Sequence, residues 1–246
     1  MSAPVEVERS AGVTTLRLAQ PRRRNALSEA VLTILRDELA PARLAATTAV
    51  VLTAAGASFS AGADLDELTG TSADLAFDDL LADVTTAIRQ APVPAIAAIE
   101  GACVGAAVDL AMACDVRIAS ETAFFGVPAV RLGLLYNPDS LVRLREALPS
   151  QTSARLLLLG ERIGGHDAVA AGLACCCVPA GTALERAHAL AADAPTTSRE
   201  AMSATKALLT GAADATSSRE VRLRLLDSPE RLRAVTAAKQ RLHSKG

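Results

Sequence analysis

Residues 99–115 read I-E-G-A-C-V-G-A-A-V-D-L-A-M-A-C-D, and this stretch decides the fold. It predicts the end of a buried strand, a tight turn at Gly101 and Gly105, and a helix of small residues that opens near Ala106. The first amides of a helix have no partner inside it and point at whatever lies before it. One acid, Asp109, stands near the start of this apolar helix, where a carboxylate is costly unless it is paired or used.

Strands and helices alternate around this stretch, which predicts right-handed β-α-β crossovers and a largely parallel sheet. The patterns of apolar residues predict strands at 5–8, 13–18, 49–53, 95–99 and 116–119, and helices at 29–39, 64–68 and 75–89. Ser28 is the expected N-cap of the first helix. From residue 151 the chain is mostly helical, and the architecture changes near residue 180.

The composition excludes several classes of function. The 246 residues carry 25 basic and 27 acidic side chains and only 2% aromatics, which argues against a nucleic-acid binder. The first residues do not form a signal peptide, and no apolar run is long enough to span a membrane. Cys103, Cys114 and the run at 175–177 form no metal-binding pattern, and we expect them to be small buried thiols in a reducing cytoplasm.

Two strand-to-helix junctions are stripped of bulky side chains, namely F-S-A-G-A-D at 59–64 and G-A-C-V-G-A-A at 101–107. If the two loops face one another, the amides of Ala63 and Ala106 would donate jointly to one oxygen and stabilise an oxyanion. Small residues suit this task because a backbone amide cannot reach a ligand past a large side chain. The alternative explanation is tight packing of helices on the sheet.

Several ordered motifs carry a family resemblance. They are P-R-R-R-N-A-L at 21–27, F-S-A-G-A-D-L at 59–65, P-V-P-A-I-A-A-I-E-G at 92–101, D-L-A-M-A-C-D at 109–115, F-G-V-P-A-V-R-L-G-L at 125–134 and A-V-A-A-G-L at 168–173. On these motifs the chain resembles the enoyl-CoA hydratase/isomerase (crotonase) superfamily along most of its length. The resemblance implies an α/β fold with a β-β-α spiral core at 1–180 and a helical trimerisation region at 181–246.

The resemblance also implies a ligand and its binding residues. The ligand would be an acyl-CoA thioester whose carbonyl is held as an enolate by the amides of Ala63 and Ala106. The coenzyme A part would lie along residues Arg22, Arg24, Ala26, Ala61, Asp64 and Leu65. For the arginines the alternatives are a contact with a CoA phosphate and a solvated position. No cofactor other than the CoA of the substrate, no nucleic acid and no membrane are expected, and the assembly would be a homotrimer or homohexamer.

The chain departs from the family at the acid/base positions. The resemblance implies that hydratases of this family use two glutamates, one on each side of the substrate double bond. Alignment of the motifs places Asp109 at the first of these positions and Ala129 at the second. Hydration needs a base to activate water and an acid to protonate the α-carbon, each commonly worth about 10²–10⁴-fold. Alanine supplies neither group, and aspartate is about one methylene shorter than glutamate, so hydration by the usual pair is in doubt.

Tyr136 is the second candidate for a role in the reaction. The run L-G-L-L-Y-N at 132–137 resembles methylmalonyl-CoA decarboxylases, in which an enolate forms without a water-activating glutamate. The alternative is that Tyr136 only fills a loop. Three hypotheses follow: an enolate-forming hydratase or isomerase with Asp109 as principal acid/base and Tyr136 assisting, a decarboxylase of a malonyl-type CoA, and an acyl-CoA binding protein with weak catalysis.

Overall fold

Two β-sheets and the helices that join them make up the structure, a computed structural model that describes residues 3–243. Its strands are β1 (Val5–Ser10), β2 (Val13–Leu18), β3 (Ala49–Ala54), β4 (Ser58–Ser60), β5 (Ala95–Ile99), β6 (Ala102–Val104), β7 (Val116–Ser120), β8 (Phe124–Gly126), β9 (Ile163–Gly164) and β10 (Cys176–Val178). Its α-helices are α1 (Glu29–Glu38), α2 (Leu75–Gln90), α3 (Ala106–Ala113), α4 (Pro138–Ala147), α5 (Ser150–Ser153), α6 (Gly165–Ala170), α7 (Ala183–Ala192), α8 (Arg199–Leu209), α9 (Arg219–Leu226) and α10 (Pro229–His243).

From β3 onward, successive pairs of strands divide between the two sheets. One sheet has the order β1-β2-β3-β5-β7-β10 and the other the order β4-β6-β8-β9. The strands pair in parallel, except for β1 with β2 and β8 with β9. Each unit of the spiral therefore adds one strand to each sheet. In the first two units, β3-β4 and β5-β6, the two strands are followed by α2 and α3 respectively. This arrangement confirms the predicted β-β-α spiral.

The larger sheet is buried on both faces. Along β3, Val50 and Leu52 contribute to the main core, whereas the alternate residue Val51 belongs to a second core on the opposite face. Helix α7 supplies Ala183, Ala187 and Ala191 to this second core. The packing of the sheet thus includes a helix beyond residue 180, and the division of the chain at that residue stays a prediction.

Most predicted elements agree with the structure to within two residues, and Ser28 caps α1 by accepting a hydrogen bond from the Val31 amide at 3.3 Å. The helix predicted at 64–68 is wrong, because these residues form turns. The Asp64 carboxylate accepts a hydrogen bond from the Asp66 amide at 3.2 Å, a local bond that competes with helix formation. Leu65 is 70% exposed and offers no apolar contact to hold a helix there.

All five cysteines are free thiols. Cys103 and Cys114 are buried as predicted, and burial raises the pKa of Cys114 to about 12. Cys175 is exposed, which corrects the expectation that all the thiols are buried. Cys176 and Cys177 are half-buried. Cys175 stands just before the short edge strand β10, where its amide still bonds the Arg117 carbonyl at 2.9 Å.

The two acids that flank the central stretch have structural partners. Glu100 accepts hydrogen bonds from the amides of Gly181 and Ala183 at 3.2 and 3.1 Å and thereby caps α7. Asp115 Oδ2 binds the ammonium of Lys206 at 2.7 Å, and this lysine of α8 is only 5% exposed. The buried ion pair fixes α8 to the sheet. None of the helices within residues 3–243 combines the length and the apolar character needed to cross a membrane.

Candidate functional site

The two loops of small residues meet, as the sequence analysis required. Gly62 has a φ of +92°, and a Cβ atom added to it would lie 2.5 Å from the Val104 carbonyl oxygen and 3.3 Å from the Ala106 nitrogen. Only glycine allows this approach, because a side chain would overlap the backbone that leads into α3. The first loop is therefore in direct contact with the start of the helix predicted from residues 99–115.

Neither the Ala63 amide nor the Ala106 amide donates a hydrogen bond to another residue within residues 3–243. Ala63 lies in an extended segment that pairs with Leu27. The Leu27 amide donates to the Gly62 carbonyl at 2.8 Å, and the Asp64 amide donates to the Leu27 carbonyl at 3.0 Å, so the residues on either side of Ala63 make these bonds. Because alternate peptide groups of an extended chain point in opposite directions, the Ala63 amide points away from Leu27. Ala106 is the first residue of α3, where an amide has no acceptor within the helix.

A buried asparagine that the sequence analysis missed fixes the first loop. Asn25 is 2% exposed, and its Nδ2 donates to the carbonyls of Ala55 and Ser58, each at 2.8 Å. Its Oδ1 accepts from the Gln20 amide at 2.9 Å. The side chain thus joins the turn before α1 to the segment that leads to Ala63. The sequence analysis considered only the charges of the three arginines, whereas the neutral Asn25 directly after them forms the hydrogen bonds that hold the loop.

Replacement of Asn25 by alanine is expected to destabilise the protein by roughly 1–3 kcal/mol for each buried partner left unsatisfied. Its φ of +52° adds strain, because alanine tolerates this region less well than asparagine. Urea unfolding at equilibrium measures the loss. Asn25→Asp keeps the acceptor for Gln20 but sets a carboxylate oxygen against the carbonyls of Ala55 and Ser58, so it should also lose stability. An Asn25→Ala variant as stable as the parent would contradict the proposed role.

The residues predicted to bind coenzyme A lie on two neighbouring segments, the turn before α1 and the first loop of small residues with Leu65 directly after it. Arg22 and Arg24 are exposed, and the Arg24 carbonyl accepts a hydrogen bond from the Ala61 amide at 3.0 Å. Ala26 is buried and Leu65 is exposed. The bridge between Leu27 and Ala63 joins the two segments on which they lie. The structure therefore places the predicted segments next to each other, at the edge of the junction with α3.

Asp64 and the middle arginine form an ion pair that the sequence analysis did not predict. Arg23 Nη2 lies 2.9 Å from the carboxylate of Asp64 and 2.7 Å from that of Asp66. Asp64 is 4% exposed, so this pair compensates a buried charge. Asp64 is thus engaged with the protein itself, whereas Arg22 and Arg24 form no ion pair among the described residues.

Asp109 is buried at the first turns of α3 and is held by two residues of α4. It is 2% exposed, its Oδ1 lies 2.6 Å from Arg143 Nη2, and its Oδ2 accepts a hydrogen bond from the Ser140 hydroxyl. Arg143 Nη2 also donates to Ser140 Oγ at 2.9 Å. The buried carboxylate required a partner, and the i, i+3 spacing of Ser140 and Arg143 provides it on one helical face.

Helix α2 brings further charge to the same region. Asp78 is partly buried, and its pKa is raised mainly by burial and to a smaller extent by repulsion from Asp79 and Asp109. Burial, followed by repulsion from Arg143, lowers the pKa of Arg89. These influences show that acidic and basic side chains of α2 lie within electrostatic range of the Asp109–Arg143 pair.

Tyr136 reaches back to the turn before α3. Its hydroxyl donates a hydrogen bond to the Gly105 carbonyl oxygen at 3.0 Å, and burial raises its pKa well above the ordinary value. Ala129, at the position of the second family glutamate, is 6% exposed and belongs to the main core. The site therefore combines two unpaired amides, one paired carboxylate and one phenol.

Comparison with known proteins gives the same family as the motifs. The family model described as enoyl-CoA hydratase/isomerase matches residues 8–237. The rat protein named "enoyl-CoA hydratase domain-containing protein 3, mitochondrial" is 34% identical over 200 residues, which are 80% of this chain and 66% of the relative. The 2,3-dehydroadipyl-CoA hydratase of Escherichia coli is 33% identical over 204 residues, which are 82% of this chain and 80% of that one.

Solved structures agree with the comparison of sequences. Pseudomonas aeruginosa DspI superposes with a TM-score of 0.90 at 27% identity, covering 98% of this chain and 95% of that one. Human enoyl-CoA hydratase domain-containing protein 3 gives a TM-score of 0.86 at 27% identity, covering 97% and 98% of the two chains. On the family model, the sequence identity and the spiral fold together, the chain belongs to the enoyl-CoA hydratase/isomerase family.

Proposed function

We propose that the protein binds an acyl-CoA thioester and moves a proton at the carbon next to the thioester carbonyl through an enolate. The contact of Gly62 with the start of α3 supports this proposal, because Ala63 follows Gly62 in the chain and Ala106 is the first residue of α3. Two amides that converge on one oxygen stabilise the negative charge of an enolate, and one such donor is typically worth roughly 2.7–4 kcal/mol.

Asp109 is the proposed acid/base. An ionised carboxylate has about four lone-pair positions, so the bonds to Arg143 and Ser140 leave room to accept a proton from the substrate. One carboxylate that accepts a proton and returns it to another carbon performs an isomerisation. Hydration needs a second acid/base group, and Ala129 cannot supply it. The arrangement therefore supports isomerisation of an enoyl thioester better than hydration.

The exposed guanidinium groups of Arg22 and Arg24 are the proposed partners of the CoA phosphates. Ala26, Ala61 and Leu65 would line the path of the pantetheine arm, and Asp64 would keep this edge in place through its pair with Arg23. The proposed proton transfer uses no cofactor, because coenzyme A enters as part of the substrate. A homotrimeric or homohexameric assembly and a cytoplasmic location stay predictions.

A second candidate function is binding of an acyl-CoA with little turnover. The observation that favours it is the pairing of Asp109, both of whose oxygens have partners within the protein. If these bonds persist when substrate binds, the carboxylate is a structural acid. The pocket would then hold the thioester and polarise its carbonyl without a group that moves the proton.

Four measurements on the purified protein separate these functions. A 3-enoyl-CoA and crotonyl-CoA are followed by the ultraviolet absorbance of the conjugated enoyl thioester, methylmalonyl-CoA by release of CO₂, and binding by calorimetry. We expect conjugation of the 3-enoyl-CoA at a higher rate than hydration of crotonyl-CoA. Micromolar binding without turnover would favour the binding protein, release of CO₂ would favour a decarboxylase, and absence of both binding and turnover would contradict the proposal.

A further inference from the structure

The hydrogen bond of Tyr136 ends on the peptide group that carries the Ala106 amide. The Gly105 carbonyl and the Ala106 N–H belong to one planar unit and point in opposite directions, as in any trans peptide. A donor on the carbonyl side therefore fixes the direction of the N–H on the other side. Tyr136 supplies this donor at 3.0 Å.

The peptide needs such support because of the conformation of Gly105. This residue has φ 57° and ψ −124°, a combination that residues with a side chain rarely adopt. A Cβ atom added there would meet nothing within 4 Å, so the glycine is required for its backbone angles and not for space. Glycine at this point leaves the following peptide free to rotate unless neighbouring groups hold it.

Three hydrogen bonds hold the turn. The Gly105 amide donates to the Gly126 carbonyl at 2.8 Å, and the Gly105 carbonyl accepts from the Val108 amide at 2.9 Å as well as from Tyr136. The Tyr136 hydroxyl is the one side-chain donor among them. Hydrogen bonds in series polarise one another, so a donor on the carbonyl strengthens the N–H as a donor.

We propose that Tyr136 is a positioning residue for the oxyanion-binding amides: its hydroxyl orients and polarises the Gly105–Ala106 peptide and thereby strengthens the Ala106 N–H. This inference rests on the proposed function, because it requires that Ala106 binds the thioester oxygen. It replaces the role of acid/base assistant, since the phenolic proton is already committed to the Gly105 carbonyl. A phenol that stays protonated also keeps its donor across the neutral pH range.

The test uses a chromophoric thioester, 4-(dimethylamino)cinnamoyl-CoA, whose absorbance moves to longer wavelength when its carbonyl is polarised. We expect a red shift on binding to the parent protein, reduced on the order of 10–30% in Tyr136→Phe. Turnover should fall by roughly 10-fold, less than the 10²–10³-fold that follows removal of an oxyanion donor. Between about pH 6 and about pH 9 the shift should stay constant, because the phenol remains protonated.

Tyr136 is the single tyrosine of the chain, which provides a second variant without a mutation. Biosynthetic replacement of tyrosine by 3-fluorotyrosine modifies this side chain alone and makes its hydroxyl a stronger donor, so the red shift should increase. Opposite changes in Tyr136→Phe and the fluorinated protein would follow the strength of the donor, which the first variant removes and the second increases. The fluorinated protein also keeps the test available if Tyr136→Phe fails to fold.

Thr14→Val is the matched control. It removes a buried hydroxyl that bonds Thr47 at 2.8 Å and does not contact the Gly105 turn, so the red shift should equal that of the parent. A parent protein that neither binds nor shifts the probe would overturn the proposed function and this inference with it. A parent that shifts the probe, with an equal shift in Tyr136→Phe and in the fluorinated protein, would overturn the role of Tyr136 alone.

Discussion

Replacement of Ala106 by proline is expected to abolish turnover while α3 still forms. Ala106 is the first residue of α3, the helical position that best accepts proline, since the missing N–H has no partner within the helix. The substitution removes one of the two amides proposed to hold the enolate oxygen. The lost donor alone corresponds to about 10²–10³-fold in rate, and the proline ring occupies the place of the oxygen as well.

Ala106→Gly is the companion variant, because it shortens the side chain but keeps the amide. We expect it to retain far more turnover than Ala106→Pro under the same conditions. Circular dichroism and thermal melting establish that both variants fold. If folded Ala106→Pro turned over substrate at the parent rate, the amide would have no part in the reaction.

The second large effect is expected for Asp109→Asn. Asparagine has nearly the same shape, and its Oδ1 can still accept from Arg143 while its Nδ2 donates to the Ser140 hydroxyl oxygen, but it cannot take up a proton from the substrate. We expect kcat to fall by about 10²–10⁴-fold with a smaller change in KM. The same change leaves the Arg143 charge without its counter-ion, so the free energy of unfolding should fall by up to about 3–5 kcal/mol.

Asp115→Asn separates the two consequences. Asp115 forms an ion pair with Lys206 at 2.7 Å just beyond the other end of α3, and it has no part in the proposed proton transfer. Both variants should therefore lose stability, whereas only Asp109→Asn should lose turnover. Equal rates in Asp109→Asn and the parent would show that Asp109 is a structural acid, which is the expectation for a protein that binds acyl-CoA without turnover.

The strands and the central turn were predictable because local physics controls them. Small residues with glycines at 101 and 105 leave few alternatives to a tight turn and a closely packed helix, and α3 begins at Ala106 as predicted. Apolar runs of strand length gave the positions of β3, β5 and β7 to within one residue. The contact of the two loops was a condition that the sequence left open, and Gly62 meets it by its close approach to the start of α3.

The partners of charged groups were not predictable in the same way. A buried Asp109 demands a cation, but the chain offers 25 lysines and arginines, and only the path of α4 selects Arg143. Asp64 shows the same limit, since its bond to Arg23 and its turn replace the predicted helix. Ion pairs between residues far apart in the sequence depend on tertiary packing. Their partners can be named only when the whole fold is known.

The position of α7 has a consequence for synthesis of the chain. Its three buried alanines cover a face of the large sheet that includes Val51, Ile96 and Ile118. During translation this apolar face lacks the cover of α7 until residue 192 has left the ribosome, whereas the last strand of the sheet, β10, is complete at Val178. A nascent chain halted near residue 180 would expose this apolar face to neighbouring chains and chaperones. Packing of α7 on the sheet therefore removes a surface that favours aggregation.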